Sequence, residues 1–171
     1  MPLKIKYTFP LILFLMLGCE QQPPKVEIDE ENWSKRAANI DQIDSLVHGK
    51  SYLSVYSQMY SFTQHRKYNL TGMISMRNVS EKDTIYFLRA DYFNTEGSKI
   101  RTYFDYPIYV LPMETLEIVI AYEDVEGGTG SNFIFEWKTP ENCPEPLFEG
   151  VMNSMTGNQG ISFTTQAKRV E

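Results

Sequence analysis

The chain has 171 residues, of which 42% are hydrophobic and 13% aromatic, and a formal net charge of −6. This length suits one domain of common size with a short additional segment. The acidic balance, with neither a basic cluster nor an interleaved basic–aromatic patch along the chain, disfavours nucleic acid and anionic headgroups as partners.

Residues 1–18 are predicted to form a signal peptide. Lys4 and Lys6 supply its positive start, and Phe9 to Leu17 form an apolar run that contains one proline. As a helix this run spans about 14 Å, roughly half of a hydrocarbon core of about 30 Å. It is therefore too short for a permanent membrane span.

The pattern Leu15-Met16-Leu17-Gly18-Cys19 resembles a lipobox, the recognition sequence of lipoprotein signal peptidase, with Met16 where leucine is commonest. The resemblance implies cleavage between Gly18 and Cys19, diacylglycerol on the Cys19 sulfur and usually a further acyl chain. Two or more chains give stable anchoring. We expect a lipid-anchored protein on the cell membrane or outer membrane, periplasmic or surface-exposed. Its mature chain would carry 14 basic and 22 acidic residues, a net charge of −8.

Residues 19–50 are predicted to be the lipidated cysteine and a tether. Residues 20–31 are rich in Gln, Pro and acids, which is typical of a solvated linker. From Trp33 to Val47, apolar residues recur at steps of three and four, which predicts a short amphipathic helix, with Gly49 placed to stop it.

Residues 51–171 are predicted to form an all-β domain. The pattern changes to period two, as in Phe133, Phe135 and Trp137, and turn signals recur at short intervals without a helical pattern between them. This organisation favours an immunoglobulin-like antiparallel β-sandwich of about seven to eight strands. An open barrel is the alternative.

Three tyrosines near the start of this domain, Tyr52, Tyr56 and Tyr60, follow the two-residue period closely enough to share one face. If the opposite face is the core, they form an exposed aromatic strip suited to a protein or glycan partner. In the alternative, a helix or the C-terminal tail covers them.

The glycine-rich segment from Asp124 to Asn132 is the most unusual local feature of the sequence. Its successive N–H groups can form an anion-binding nest, and its acids can contribute to a calcium site. The simpler interpretation is a hairpin connection that needs positive φ angles. The residues of this candidate loop site are Asp124, Glu126, Gly127, Gly128 and Gly130.

Other chemistry-bearing residues give no strong signal, and we expect no cofactor and no metal ligand set. His48 and His65 lack metal-ligand spacing, and no nucleophile motif is present. Cys143 would be the lone thiol once Cys19 is acylated, and its acidic, proline-rich surroundings favour a passive loop thiol.

From about Tyr52 onwards the chain resembles the DUF3124 family, a bacterial domain of unknown function. The stretches that carry the resemblance are Tyr52-Leu53-Ser54-Val55-Tyr56-Ser57, Met76-Arg77-Asn78, Asp91-Tyr92-Phe93, Gly127-Gly128-Thr129-Gly130-Ser131-Asn132-Phe133 with Trp137, and Gln159-Gly160-Ile161-Ser162-Phe163. The resemblance implies a small exported or lipid-anchored protein, and it carries over no catalytic residue.

These features favour a non-enzymatic binding or assembly module that is tethered to a membrane and contacts another envelope protein. The alternatives are an envelope metal-dependent hydrolase, or a small-ligand carrier, with its site at the glycine-rich end.

Overall fold

The structure is a computed structural model that describes residues 32–43, 45–156 and 159–171. The predicted signal peptide, the cleavage site at Gly18 and Cys19, and most of the predicted tether lie outside these residues. Across the described residues, the chain forms one 3-10 helix and twelve strands. The helix is Trp33–Arg36, and the strands are β1 Leu46–Ser54, β2 Gln58–Ser61, β3 Thr63–Asn69, β4 Thr71–Arg77, β5 Ile85–Phe93, β6 Lys99–Phe104, β7 Ile108–Val110, β8 Thr115–Ile120, β9 Asn132–Pro140, β10 Leu147–Thr156, β11 Gln159–Gln166 and β12 Lys168–Arg169.

The strands form two main antiparallel sheets and a separate hairpin. The first sheet has the order β12-β1-β9-β5-β6, with β7 also paired to β5, and the second has the order β11-β10-β4-β8. The hairpin is β2-β3. The predicted all-β sandwich is confirmed, whereas the open barrel is not what these separate sheets form. More strands are present than the predicted seven or eight, because the hairpin and short strands such as β7 and β12 add to the count.

Aromatic side chains fill the space between the two main sheets. On β9, Phe133, Phe135 and Trp137 are fully buried, as the two-residue period predicts. The ring of Phe135 stacks on Phe148 of the opposite sheet at 4.3 Å between centroids. Burying one such side chain contributes about 2 to 3 kcal/mol, so these rings are a large part of what holds the sheets together.

The strand register defines two ends of the sandwich. Ser54, Asn132 and Phe93 pair in sequence across β1, β9 and β5 and mark one end, which we call the loop end. Leu46 and Pro140 mark the opposite, N-terminal end. The described N-terminal segment contacts this second end, where Arg36 forms an ion pair of 2.8 Å with Glu114.

The amphipathic helix expected from Trp33 to Val47 is wrong beyond its first turn. The Asn39 side chain accepts a hydrogen bond of 3.0 Å from the N–H of Asp41, a local bond that competes with helix formation. The main chain of Ala38 bonds instead to Pro107 at 2.9 Å. Val47 lies within β1, so the strand domain begins earlier than residue 51.

Gly49 does not stop a helix but lies within β1. A Cβ atom added there would lie 2.2 to 2.6 Å from ring atoms of Trp137. This glycine is therefore required for the close packing of the indole on the strand. No helix among the described residues has the length and apolar character needed to cross a membrane.

Candidate functional site

The glycine-rich segment joins β8 of one sheet to β9 of the other at the loop end. It is thus a crossing between sheets, and the prediction of a hairpin connection is wrong. The expected positive φ angle is present at Gly128, with φ of 73°. A crossing of this kind must turn sharply and pack against the end of the core, which explains the need for glycine.

The main chain of this loop forms hydrogen bonds with residues of neighbouring segments. The Thr95 hydroxyl donates to the Gly127 carbonyl at 3.0 Å and accepts from the Gly130 N–H at 3.0 Å. The Gly128 carbonyl accepts from the N–H groups of Ser57 and Gln58 at 3.2 and 3.0 Å. The Gly128 N–H donates to Val125. Two N–H groups that an anion-binding nest would use are therefore engaged within the protein.

The acids of the loop contact an arginine. Arg101 bonds to Asp124 at 3.1 Å and lies 4.0 Å from Glu126. Within the described ranges, no group of three or more His, Cys, Asp and Glu side chains could hold a metal ion. The predicted loop residues do come together, and Asp124 and the glycine main chain bond within the protein, whereas the Glu126 side chain is 66% exposed.

The tyrosine strip is only partly present. Buried and less buried residues alternate from Tyr52 to Gln58, but Met59 is also only half-buried, so the alternation ends before Tyr60. Tyr56 packs edge-on against Phe163 of β11, at 5.8 Å between ring centroids, so the C-terminal tail covers the middle of the strip. Tyr52 is 37% exposed on β1 and Tyr60 is 53% exposed on β2. Of the three, Tyr60 also lines a separate groove.

This groove is open and lies at the loop end, and we call it the aromatic groove. It lies between the β2-β3 hairpin and the neighbouring parts of β10 and β11, and its volume is about 630 Å³. Residues from three segments line it: Met59, Tyr60, Ser61, Phe62, Tyr68, Ser154, Gly160 and Ile161. Its lining is mainly apolar and aromatic, which is typical of a binding site.

Phe62, in the turn of the hairpin, is the most unusual residue of the groove. Its side chain is 90% exposed and its φ angle is 60°. A left-handed backbone at a bulky residue costs about 1 to 2 kcal/mol, and exposure of the ring gains no burial energy. The fold therefore retains an aromatic ring here at a cost in stability, as expected of a residue that serves binding.

Cations lie over the aromatic rings of the hairpin. The Arg66 guanidinium is 5.8 Å from the centre of the Phe62 ring and 5.3 Å from that of Tyr68. The Lys67 amine is 5.4 Å from the centre of the Tyr60 ring. This small basic–aromatic patch corrects the expectation that the chain has none.

The two histidines and Cys143 lie away from this arrangement. His65 is an exposed residue of β3, and His48 is an exposed residue of β1. Cys143 is half-buried. Burial, and to a smaller extent the nearby Asp83 carboxylate, raises the pKa of its thiol. A raised pKa reduces the thiolate fraction, which agrees with a passive thiol.

The comparisons with known proteins assign no activity to the chain. No curated protein matches the chain. A solved structure, described as that of Thermotoga maritima 1070, is similar to it with 11% identity and a TM-score of 0.45, covering 70% of this chain and 92% of the other.

The model of the DUF3124 family, described as a protein of unknown function, matches residues 48–170. This match begins just after β1 starts and reaches the end of β12, so it spans both main sheets and the groove. The chain belongs to the DUF3124 family.

Proposed function

We propose that this protein is a membrane-anchored extracytoplasmic lipoprotein whose sandwich domain binds another envelope protein through the aromatic groove. The observation that carries the proposal is the exposed groove of Tyr60, Phe62 and Tyr68, with its strained turn at Phe62. Aromatic and arginine side chains are enriched where proteins bind partners.

The position of the groove supports this proposal. The described N-terminal segment contacts the N-terminal end of the sandwich through Arg36 and Glu114. The groove lies at the loop end, to which β1 runs from Leu46 to Ser54. A domain held by lipid on Cys19 would therefore present the groove on the side away from the contacts of its N-terminal segment.

Site-specific photocrosslinking in cells tests the binding role. A photoreactive amino acid replaces Phe62 in one variant and Met113 in another; Met113 is 66% exposed and follows β7 at the N-terminal end. We expect a discrete crosslinked envelope protein from position 62 and none from position 113. The same products from both positions, or none from position 62, would contradict the proposal.

Membrane fractionation tests the anchor. Cys19→Ser removes the predicted acylation site, and we expect the protein to leave the membrane fraction because the lipid supplies its anchoring. Cys143→Ser is the matched control, since it removes the other cysteine, and its fractionation should equal that of the wild type. A membrane-bound Cys19→Ser protein would contradict the lipid anchor.

A further inference from the structure

One wall of the aromatic groove is built from consecutive residues of the β2-β3 hairpin. Four consecutive residues from Met59 to Phe62 line it. Successive side chains of a strand point to opposite faces, so a groove that contacts all of them runs along the edge of β2. Within the described part of the chain, β2 pairs with β3 alone.

The hydrogen-bond pattern shows which main-chain groups face this edge. The N–H of Leu70 donates to the Ser57 carbonyl at 2.9 Å, and directly bonded pairs alternate along an antiparallel ladder. By this alternation Met59 faces its partner Tyr68, whereas the N–H and C=O of Tyr60, which pairs with Lys67, are directed away from β3. The register shifts between Tyr60 and Ser61, so Tyr60 is the last residue of regular pairing. Gln58 precedes Tyr60 by two residues, so its main-chain groups point in the same direction. Its N–H donates to the Gly128 carbonyl rather than to β3.

A second strand edge borders the groove. Gly160 and Ile161 of β11 line it, and β11 pairs only with β10 among the described residues. The groove thus offers main-chain partners together with apolar contacts at Met59 and Ile161. An extended peptide satisfies both, because its main chain pairs with an edge while alternate side chains enter the pockets.

The charge around the groove indicates which kind of peptide it can bind. The chain has 22 acidic residues, but none lies between residues 45 and 80 or between 150 and 167, the two stretches that build the groove. Arg66 and Lys67 are exposed on β3 beside it. Both cations lie over aromatic rings of the groove, and a positive patch attracts an acidic segment.

From these observations we infer that the partner supplies an extended segment of alternating apolar and acidic residues, which adds to the edge of β2 as a further strand. This inference rests on the proposed function and names the chemistry of its partner. The acidic remainder of the surface would repel the same segment elsewhere, which confines it to the groove.

Peptide selection with the purified full-length chain in detergent tests this inference. The probe is a phage-displayed library of random peptides, and we expect enrichment of peptides that alternate apolar residues with Asp or Glu. A selected peptide is then synthesised with N-methyl groups on alternate residues. Methylation along one edge should weaken binding by about tenfold or more, and along the other edge hardly at all. Equal effects from both edges, or enrichment of basic peptides, would overturn the inference.

A charge-reversal pair provides the matched variants. Arg66→Glu with Lys67→Glu should weaken the selected peptide about tenfold or more, because two attractive charges become repulsive. Lys35→Glu with Lys82→Glu changes the net charge equally at exposed positions away from the groove, and affinity should stay within about twofold. Equal losses from both pairs would show general charge steering and remove the inference.

The outcomes separate this inference from the proposed function. If crosslinking from Phe62 yields an envelope protein but no peptide is sensitive to edge methylation, the binding role stands and strand addition is wrong. If crosslinking fails and a neutral oligosaccharide binds in a Phe62-dependent manner, both the protein partner and the strand are wrong.

Discussion

The glycine-rich loop and the aromatic groove both lie at the loop end of the sandwich. The loop bonds to the rest of the protein, whereas the groove is open to solvent. In the loop, Thr95, Ser57 and Gln58 bond to the main chain, and Arg101 contacts the acids. In the groove, the Phe62 ring is exposed and the edge of β2 runs along open space.

This difference shows how an unusual sequence motif can be explained by the fold. Gly127 is buried against Tyr92, and the loop main chain bonds to Thr95, Ser57 and Gln58. These contacts close this end of the core. Phe62 takes no part in closing the end of the core, and its backbone conformation is unfavourable. A region that the fold does not need is the better candidate for binding.

The largest effect that would test this comparison is expected at Gly127. A Cβ atom there would lie 1.9 Å from the Tyr92 hydroxyl and 2.8 Å from that of Ser131. Gly127→Ala should therefore lower the free energy of unfolding by about 3 kcal/mol through overpacking, measured as the urea midpoint at unchanged slope. At Gly130 the nearest atom is 3.5 Å from such a Cβ, so Gly130→Ala should change stability by less than about 0.5 kcal/mol. Similar small effects from both would show that the loop is not part of the packed end.

The opposite behaviour is expected at Phe62. Phe62→Gly relieves backbone strain of about 1 kcal/mol and adds a similar unfolded-state entropy, so stability should change little. The yield of the crosslinked partner, with the photoreactive group placed at position 60, should fall about tenfold or more.

Met113→Gly is the matched control for Phe62→Gly. Met113 has φ of 59° and is also exposed, but it lies at the N-terminal end. Its replacement should leave both stability and crosslinking nearly unchanged. A Phe62→Gly protein with full crosslinking would move the binding site away from the groove.

The strands were predictable because their signal is local. The alternation of Phe133, Phe135 and Trp137 identifies the buried face of β9 without knowledge of its neighbours. The prediction of a helix after Trp33 is wrong because apolar spacing carries no information on the Asn39 turn or on the bond from Ala38 to Pro107. Tertiary hydrogen bonds decided that segment.

The site was less predictable because it depends on contacts between distant segments. Tyr60 is one of the predicted site residues and lines the groove, but its groove neighbour Ile161 is far along the chain. The packing of Tyr56 on Phe163 likewise depends on the return of β11 beside the start of the domain. One local signal does point to this site: the stretch around Arg66 and Lys67 is basic and aromatic within an acidic chain.

A smaller effect is expected at Thr95, which bonds to two glycines of the loop. Thr95→Val keeps the shape of the side chain but removes its bonds to the Gly127 carbonyl and the Gly130 N–H. The free energy of unfolding should fall by about 1 kcal/mol because Thr95 is exposed and water can replace part of the loss. Thr164→Val, at an exposed position of β11, is the control and should be nearly neutral. Partner crosslinking should be unchanged in both, and a loss confined to Thr95→Val would show that the loop takes part in binding.

The smallest effect concerns the ionisation of Tyr92 beneath the loop. Its hydroxyl donates to Ser131 at 3.2 Å, and Ser131 donates to the Val55 carbonyl at 2.8 Å. Burial raises the pKa of Tyr92 above its ordinary value of 10.0. The folded state therefore disfavours the phenolate, and the resulting stability is present below pH 10 and is lost as the pH rises through the folded pKa.

Tyr92→Phe removes this ionisation at a cost of about 1 kcal/mol or less near neutral pH, since Ser131 keeps its bond to Val55. Between about pH 8 and about pH 11, its urea midpoint should fall less than that of the wild type. Tyr122→Phe, whose ring is 40% exposed, removes one phenol as well and should follow the wild type. If Tyr92→Phe instead loses as much stability as the wild type, alkaline unfolding starts outside the loop end, and the closure of the core there is weaker than its hydrogen bonds indicate.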